Sequence, residues 1–352
     1  MKYIGNKTRL LPFIEQVVEN CGLPTTGTFM DPFAGTASVS VRFKELGYKI
    51  ISADIMTYSY LRQRALIELD GDPQMEGVMS LIRASSSRES NVSAVLAHLN
   101  QLEGRYGYAF ENFAPSGSHK RQYFTDINAM KIDAIRDEIQ VWRDEEVISD
   151  LEFAYLVSAL IESSDHVANM SGTYGAYLKI WRSVALKELN LKPFAIVKSR
   201  LQNFAHLCSA NDLVRKESGT ILYLDPPYNS RQYASNFHVL ESIAVWDKQQ
   251  LRGKTGLRNY DNQRSEYSTK TRAKEAFADL ISNSEFDYIL LSYSNEGILS
   301  EDYILDELSK HGSVQRFEKD YKRFRTERNH ASRNYADVGD RVSEYLYVLK
   351  KN

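Results

Sequence analysis

The chain has 352 residues, 43% hydrophobic and 26% charged, with a formal net charge of −2. Those values fit a soluble globular protein with a sizeable core, as one large domain or two moderate ones, and bulk charge does not single out a nucleic-acid binder. No apolar run is long enough to span a bilayer and Met1 to Leu11 lacks a signal-peptide core, so a cytoplasmic protein with no membrane partner is expected. Cys21 and Cys208 have no metal-ligand spacing, so reduced cysteines and no metal site are expected.

In chain order, Asn6 can cap a helix from Lys7 to about Asn20, with Leu10, Ile14, Val17 and Val18 as its apolar stripe. Gly27 to Asp31 reads as a strand, Pro32 to Gly35 as a turn, and Thr36 to Leu46 as a helix ended by Gly47. Tyr48 to Asp54 is a second strand and Tyr58 to Leu69 a helix broken at Gly71-Asp72-Pro73. That alternation indicates a parallel α/β sheet. From about Asp72 to Arg200 the pattern turns helical, with Ile127 to Trp142 and Asp150 to Ser163 as amphipathic candidates. Strand signals return at Ile221 to Asp225, Tyr288 to Tyr293 and Val342 to Leu349. The expectation is one α/β domain in two segments, 1–71 and 201–352, with a helical insertion over 72–200. Arg252 to Arg272 reads as a long mobile loop.

The most informative string is Ile221 to Tyr228, an apolar run that ends in Asp225-Pro226-Pro227-Tyr228. The prolines lack amide donors and stop the strand. What remains is a corner with a carboxylate, free carbonyls and a flat ring, at the strand end where open sheets bind ligands. A planar group with an exocyclic amine would fit, its hydrogens on Asp225 and the Pro226 carbonyl and its ring on Tyr228. An ordinary Pro-Pro turn is the plain alternative.

The first strand exits into Asp31-Pro32-Phe33-Ala34-Gly35-Thr36, where Gly35 permits a tight turn before a helix N-terminus. Asp54 follows about twenty residues later, placed to accept from ribose hydroxyls. Capping the next helix is its alternative role. The turn lacks the three-glycine fingerprint of hydride-transfer cofactors, and no Gly-Lys-Ser/Thr follows it to make a P-loop.

Phe29 to Ser38, Asp54 and Asp225 to Tyr228 resemble the motifs of S-adenosylmethionine-dependent DNA adenine-N6 methyltransferases. Lys2 to Lys7 looks like that family's first cofactor segment, and the motif order is similar to the Dam-type D12 class. Asp225 to Trp246 and Ser164 to Trp181 resemble its FokI-type branch. The resemblance implies a Rossmann-like methyltransferase sheet with a helical target-recognition insertion. It implies that Tyr3, Lys7, Asp31, Gly35, Asp54, Asp212 and Asp225 bind S-adenosylmethionine. Asp225, Pro226 and Tyr228 would hold an adenine flipped out of double-stranded DNA, in a short non-palindromic site. A restriction-modification system, with a cognate endonuclease as partner, belongs to the same expectation. An RNA adenine-N6 methyltransferase and a catalytically silent nucleic-acid binder are the alternatives.

Uneven charge supplies the candidate DNA contacts. Seven basic residues lie between Arg252 and Lys274 and seven between Arg316 and Arg333. Arg231, Arg258, Arg264 and Lys179 are expected on a phosphate-binding face, with solvated surface as the alternative. Ser292-Tyr293-Ser294-Asn295 resembles a wall of the base pocket, and Ser171 to Gly175 a loop that could approach DNA. His330, Arg333 and Asn334 fall in a basic loop.

Overall fold

The computed structural model describes residues 7–82, 90–322 and 341–352. Tyr3, the Asn6 cap, the loop of His330, Arg333 and Asn334, and most of the basic stretch 316–333 lie outside those residues. The chain divides into two compact units. One comprises the described parts of 7–55, 201–233 and 264–352, and the other holds Met56–Arg200 and Ala234–Gln263.

The first unit is built on a sheet of seven strands among the described residues. They are β1 Thr28–Asp31, β2 Lys49–Asp54, β3 Phe204–Leu207, β4 Ser218–Leu224, β5 Glu285–Ser294, β6 Gly312–Lys322 and β7 Arg341–Lys351. Their order is β3-β2-β1-β4-β5-β7-β6. The first five run parallel, and β7 lies antiparallel between β5 and β6. This is the expected Rossmann-like sheet with a closing hairpin at one edge.

Both faces of the inner strands are apolar because helices cover a parallel sheet on both sides. In β1, Phe29 stacks on Phe43 with centroids 3.9 Å apart. Its neighbour Met30 points the other way, into a core with Ile51, Leu222, Leu224, Phe277, Ile289 and Leu291. β3 and β6 are the strands that the sequence reading lacks. β3 has four residues, and Gly312 to Lys322 reads as basic surface because none of its described side chains is buried.

The expected first helix starts late. Lys7–Arg9 is a single tight turn, and the α-helix runs Leu11–Asn20 with proline in its first turn. Pro12 has no amide to donate, so it suits that start.

The second unit is helical. Its longest helices are Asp126–Asp144 and Asp150–His166, the latter started by a reciprocal Ser149/Glu152 capping box. The boundary between compact units falls earlier than the expected break at residue 71, and 234–263 is also on the helical side. Hydrogen bonds explain both shifts. Glu241 accepts from the amides of Thr57 and Tyr58, each at 3.0 Å, and so caps the helix Thr57–Gln63. Arg136, 1% exposed, donates from Nε to the Ile243 carbonyl at 2.9 Å and from Nη2 to the Ala244 carbonyl at 3.2 Å. A buried cation thus satisfies the carbonyl end of helix His238–Val245.

The stretch Arg252 to Arg272 is pinned, which corrects the expectation of a mobile loop. Arg121 donates to the carbonyls of Gly253 and Lys254, and Tyr123 Oη to that of Thr255. Further along, Tyr267 is buried in the core of the sheet unit. The loop Ser171 to Gly175 is also anchored, because Tyr174 is fully buried with its hydroxyl on Asp165.

Candidate active site

Strands β1, β2 and β4 are parallel neighbours, and their carboxyl ends carry Asp31, Asp54 and, one residue past β4, Asp225. The sheet reverses its winding between β1 and β4, which leaves a crevice outside those ends.

The turn after β1 is shaped for a close approach of backbone. Gly35 has φ +50° and Ala37 φ +62°, and the helix Ser38–Glu45 starts at once. The Gly35 amide donates to Asp54 Oδ2 at 3.1 Å, and the Ala34 amide to the Ala53 carbonyl at 3.0 Å. The turn is therefore laced to the end of β2.

Asp31 is 2% exposed. Its Oδ2 accepts from Ser40 Oγ at 2.8 Å, while Oδ1 is buried with no partner among the described residues. Burial, with the charges of Asp225 and Asp54, pushes its carboxyl up to about 7 against the Ser40 and Phe33 donors.

Asp225 stands where the two prolines stop β4. Tyr228, half-buried, follows with its carbonyl accepting from the Ile298 amide at 3.0 Å. Its ring meets Tyr293 edge-on, centroids 6.4 Å apart. The expected pocket-wall segment Ser292 to Asn295 thus adjoins Tyr228 at Tyr293.

Lys7 is 5% exposed, with Nζ 3.1 Å from Asp225 Oδ1 and 6.0 Å from the Tyr228 centroid. The same Nζ donates to Glu344 Oε1, which also accepts from Ser292 Oγ. Burial works against the Lys7 charge, but Asp225, Glu344 and Tyr223 outweigh it and hold its pKa well above the ordinary value. Burial also raises the Asp225 carboxyl, with Lys7 opposing and Glu344 adding to the rise. The Asp225 side chain keeps 16% of its surface open, so it can meet a ligand.

Glu344 and its bond to Lys7 are absent from the sequence reading. One signal exists: Glu344, Leu346 and Val348 alternate on one buried face of β7, where a carboxylate is out of place.

Asp212 lies past β3, two strands from β1. It is exposed and engaged in its own cap, with Ser209 Oγ donating to Oδ2 at 2.7 Å. Of the candidate DNA contacts, Lys179, Arg231 and Arg264 are exposed. Arg258 is not. It is 7% exposed and paired with Asp247 at 2.9 Å, so it holds the loop together and leaves the set of phosphate contacts. No helix of the described residues is long and apolar enough to cross a membrane. Among those residues no cluster of three His, Cys, Asp or Glu could hold a metal ion.

Residues 3–306 match the family model of the D12 class N6 adenine-specific DNA methyltransferase. The chain is 36% identical to the Type II methyltransferase M.FokI of Planomicrobium okeanokoites, over 100% of itself and 53% of that protein. It is 35% identical to the Type II methyltransferase M.NlaIII of Neisseria lactamica, over 100% of itself and 99% of that protein. It is 30% identical to the Type II methyltransferase M.CviAII of Paramecium bursaria Chlorella virus 1, over 99% of itself and 97% of that protein. It thus spans about half of M.FokI and nearly all of the other two. An Asp-Pro-Pro-Tyr corner beside a glycine turn, within a match of this extent, makes the chain a member of the D12 class N6 adenine-specific DNA methyltransferase family.

Proposed function

We propose that the chain transfers a methyl group from S-adenosylmethionine to the N6 amine of adenine in a short, non-palindromic DNA site. The observation that carries this reading is Asp225, an open carboxylate at the end of β4 beside a half-buried tyrosine.

The residues fit the cofactor. Gly35 and the first amides of Ser38–Glu45 would approach its methionine end. The orphaned Asp31 Oδ1 is the kind of acceptor that an ammonium group satisfies. Asp54 would hold the ribose, with Lys7, Tyr3 and Asp212 as the remaining candidates. When bound, the sulfonium supplies an electrophilic methyl group.

The protein's own task is to present the amine. Adenine N6 is a poor nucleophile because its lone pair is delocalised into the ring. Asp225 and the Pro226 carbonyl accept its two hydrogens and turn the lone pair toward the incoming carbon, an effect of orientation and electrostatics. A carboxyl raised by burial also accepts the proton released after transfer more readily. Tyr228 stacks on the base, which must leave the duplex to reach this corner. The retained Asp225 and Gly35 argue against a silent relative.

Lys179, Arg231 and Arg264 would contact phosphates, and the helical unit would supply base-edge contacts. A cytoplasmic enzyme with a cognate restriction endonuclease completes the proposal. Tritiated methyl transfer to mixed DNA, followed by sequencing of modified adenines, tests it. Transfer to a defined adenine supports the reading, and its absence with any DNA rejects it.

A further inference from the structure

We infer that Glu344 is a positioning residue for methyl transfer, which acts by sharing Lys7 with Asp225 so that Asp225 stays available to the substrate amine. The inference rests on the methyltransferase reading above.

The geometry is a buried chain of three charges. Lys7 Nζ engages Asp225 Oδ1 at 3.1 Å and Glu344 Oε1 at once. Register fixes Glu344 in place. β7 sits inside the sheet, with Glu344 opposite Ser294 on β5 and Lys319 on β6. Ser292 Oγ, two pairs along β5, donates to the same Oε1. Glu344 Oε2 is buried with no partner among the described residues. An unsatisfied buried carboxylate oxygen carries a cost in stability, so a plain core would place an apolar residue here.

The chemistry explains why a second carboxylate helps. Lys7 with Asp225 alone would be a neutral pair in a largely buried site. The ammonium would then compete with the substrate amine for the carboxylate. With Glu344 the triad carries one net negative charge, and the Lys7 nitrogen is drawn off toward β7. Asp225 can then accept from the amine while Lys7 keeps it ionised. Other titratable groups around the triad are Tyr223 on β4, Asp31 on β1, Asp54 on β2, Tyr293 on β5, and Tyr228 and Tyr233 after the proline corner. Of these only Asp31 and Asp54 are carboxyls, at the ends of β1 and β2 on either side of the glycine turn.

The test uses the full chain, on DNA carrying an adenine that the wild-type protein is first shown to modify. Wild-type transfer settles the methyltransferase reading separately. Glu344→Gln keeps the shape and removes the charge. Its single-turnover rate should fall by about tenfold to hundredfold, the value of one charged hydrogen bond. The half-saturating DNA concentration should not change. Without the Glu344 charge Asp225 ionises more easily, so the acidic limb of the pH–rate profile should move to lower pH. A packing defect alone would lower the melting temperature without moving that limb. Glu344→Asp, which keeps the charge on a shorter stem, should lose less rate and keep the limb near its wild-type position. It serves as the probe if the glutamine variant does not fold. A wild-type rate in folded Glu344→Gln, or a Glu344→Gln loss with an unmoved limb, overturns the inference, as does a folded Glu344→Asp protein whose limb moves to lower pH although the charge is kept.

Discussion

The amide of Gly35 and the carboxylate of Asp54 meet at 3.1 Å, which joins the turn after β1 to the end of β2. Two features that read as separate motifs in the sequence are one physical unit. The carboxylate orients the glycine turn, and the positive φ of Gly35 lets its amide face the carboxylate.

Asp54→Ala should therefore weaken S-adenosylmethionine binding by about 1–3 kcal/mol, through a lost ligand contact and a loosened turn. Titration calorimetry reads this directly. Unchanged affinity would remove Asp54 from the cofactor site.

Asp31 gives a prediction in pH. Its carboxyl ionises at about pH 4 in the unfolded chain and is held up to about 7 in the folded one. Across that window the unfolded state releases its proton first. Stability from this group is thus present below the window, falls as pH rises, and is gone above it. Asp31→Asn mimics the protonated form. It should raise the melting temperature more at about pH 8 than at about pH 5. An equal shift at both pH values would contradict the burial argument.

The cationic residues divide into two roles. Lys179, Arg231 and Arg264 are exposed, and alanine at each should flatten the salt dependence of DNA binding by about one phosphate contact. Arg258→Ala should leave that slope alone and lower stability, because its partner is Asp247. Filter binding over a salt series, beside thermal melts, separates the two. A flattened slope in Arg258→Ala with unchanged melting would reverse the assignment.

Arg136→Ala should destabilise the helical unit by about 1–3 kcal/mol for each carbonyl left unpaired at Ile243 and Ala244. Urea unfolding followed by helical circular dichroism measures this. A loss below about 0.5 kcal/mol, the scale of a surface substitution, would mean water replaces the guanidinium there.

Local patterns carried most of the fold into the sequence. β1, β2, β4 and β5 are apolar runs ended by turn chemistry, so their existence and the α/β class were legible. β6 was not, because an edge strand with an open face alternates weakly and Lys319, Lys322 and Arg316 dominate its reading. The carboxylates Asp31, Asp54 and Asp225 were legible because each sits where a strand stops. The bond from Lys7 to Glu344 was not, since it joins residues 337 positions apart and depends on β7 entering the sheet beside β5. The boundaries of the helical unit were set by similar long-range bonds, from Glu241 to Thr57 and from Arg136 to Ile243.

Single-turnover methyl transfer by Asp225→Ala, on a duplex containing the mapped adenine, tests the central claim most directly. Circular dichroism establishes that the variant folds. Nearly all turnover should be lost while DNA binding persists, because the carboxylate acts on the amine in the transition state more than on the duplex. Tyr228→Ala, run in parallel, should lose about 1–3 kcal/mol of stacking, and Tyr228→Phe much less, because the ring makes the contact. A folded Asp225→Ala protein that transfers methyl groups at near the wild-type rate would contradict the account.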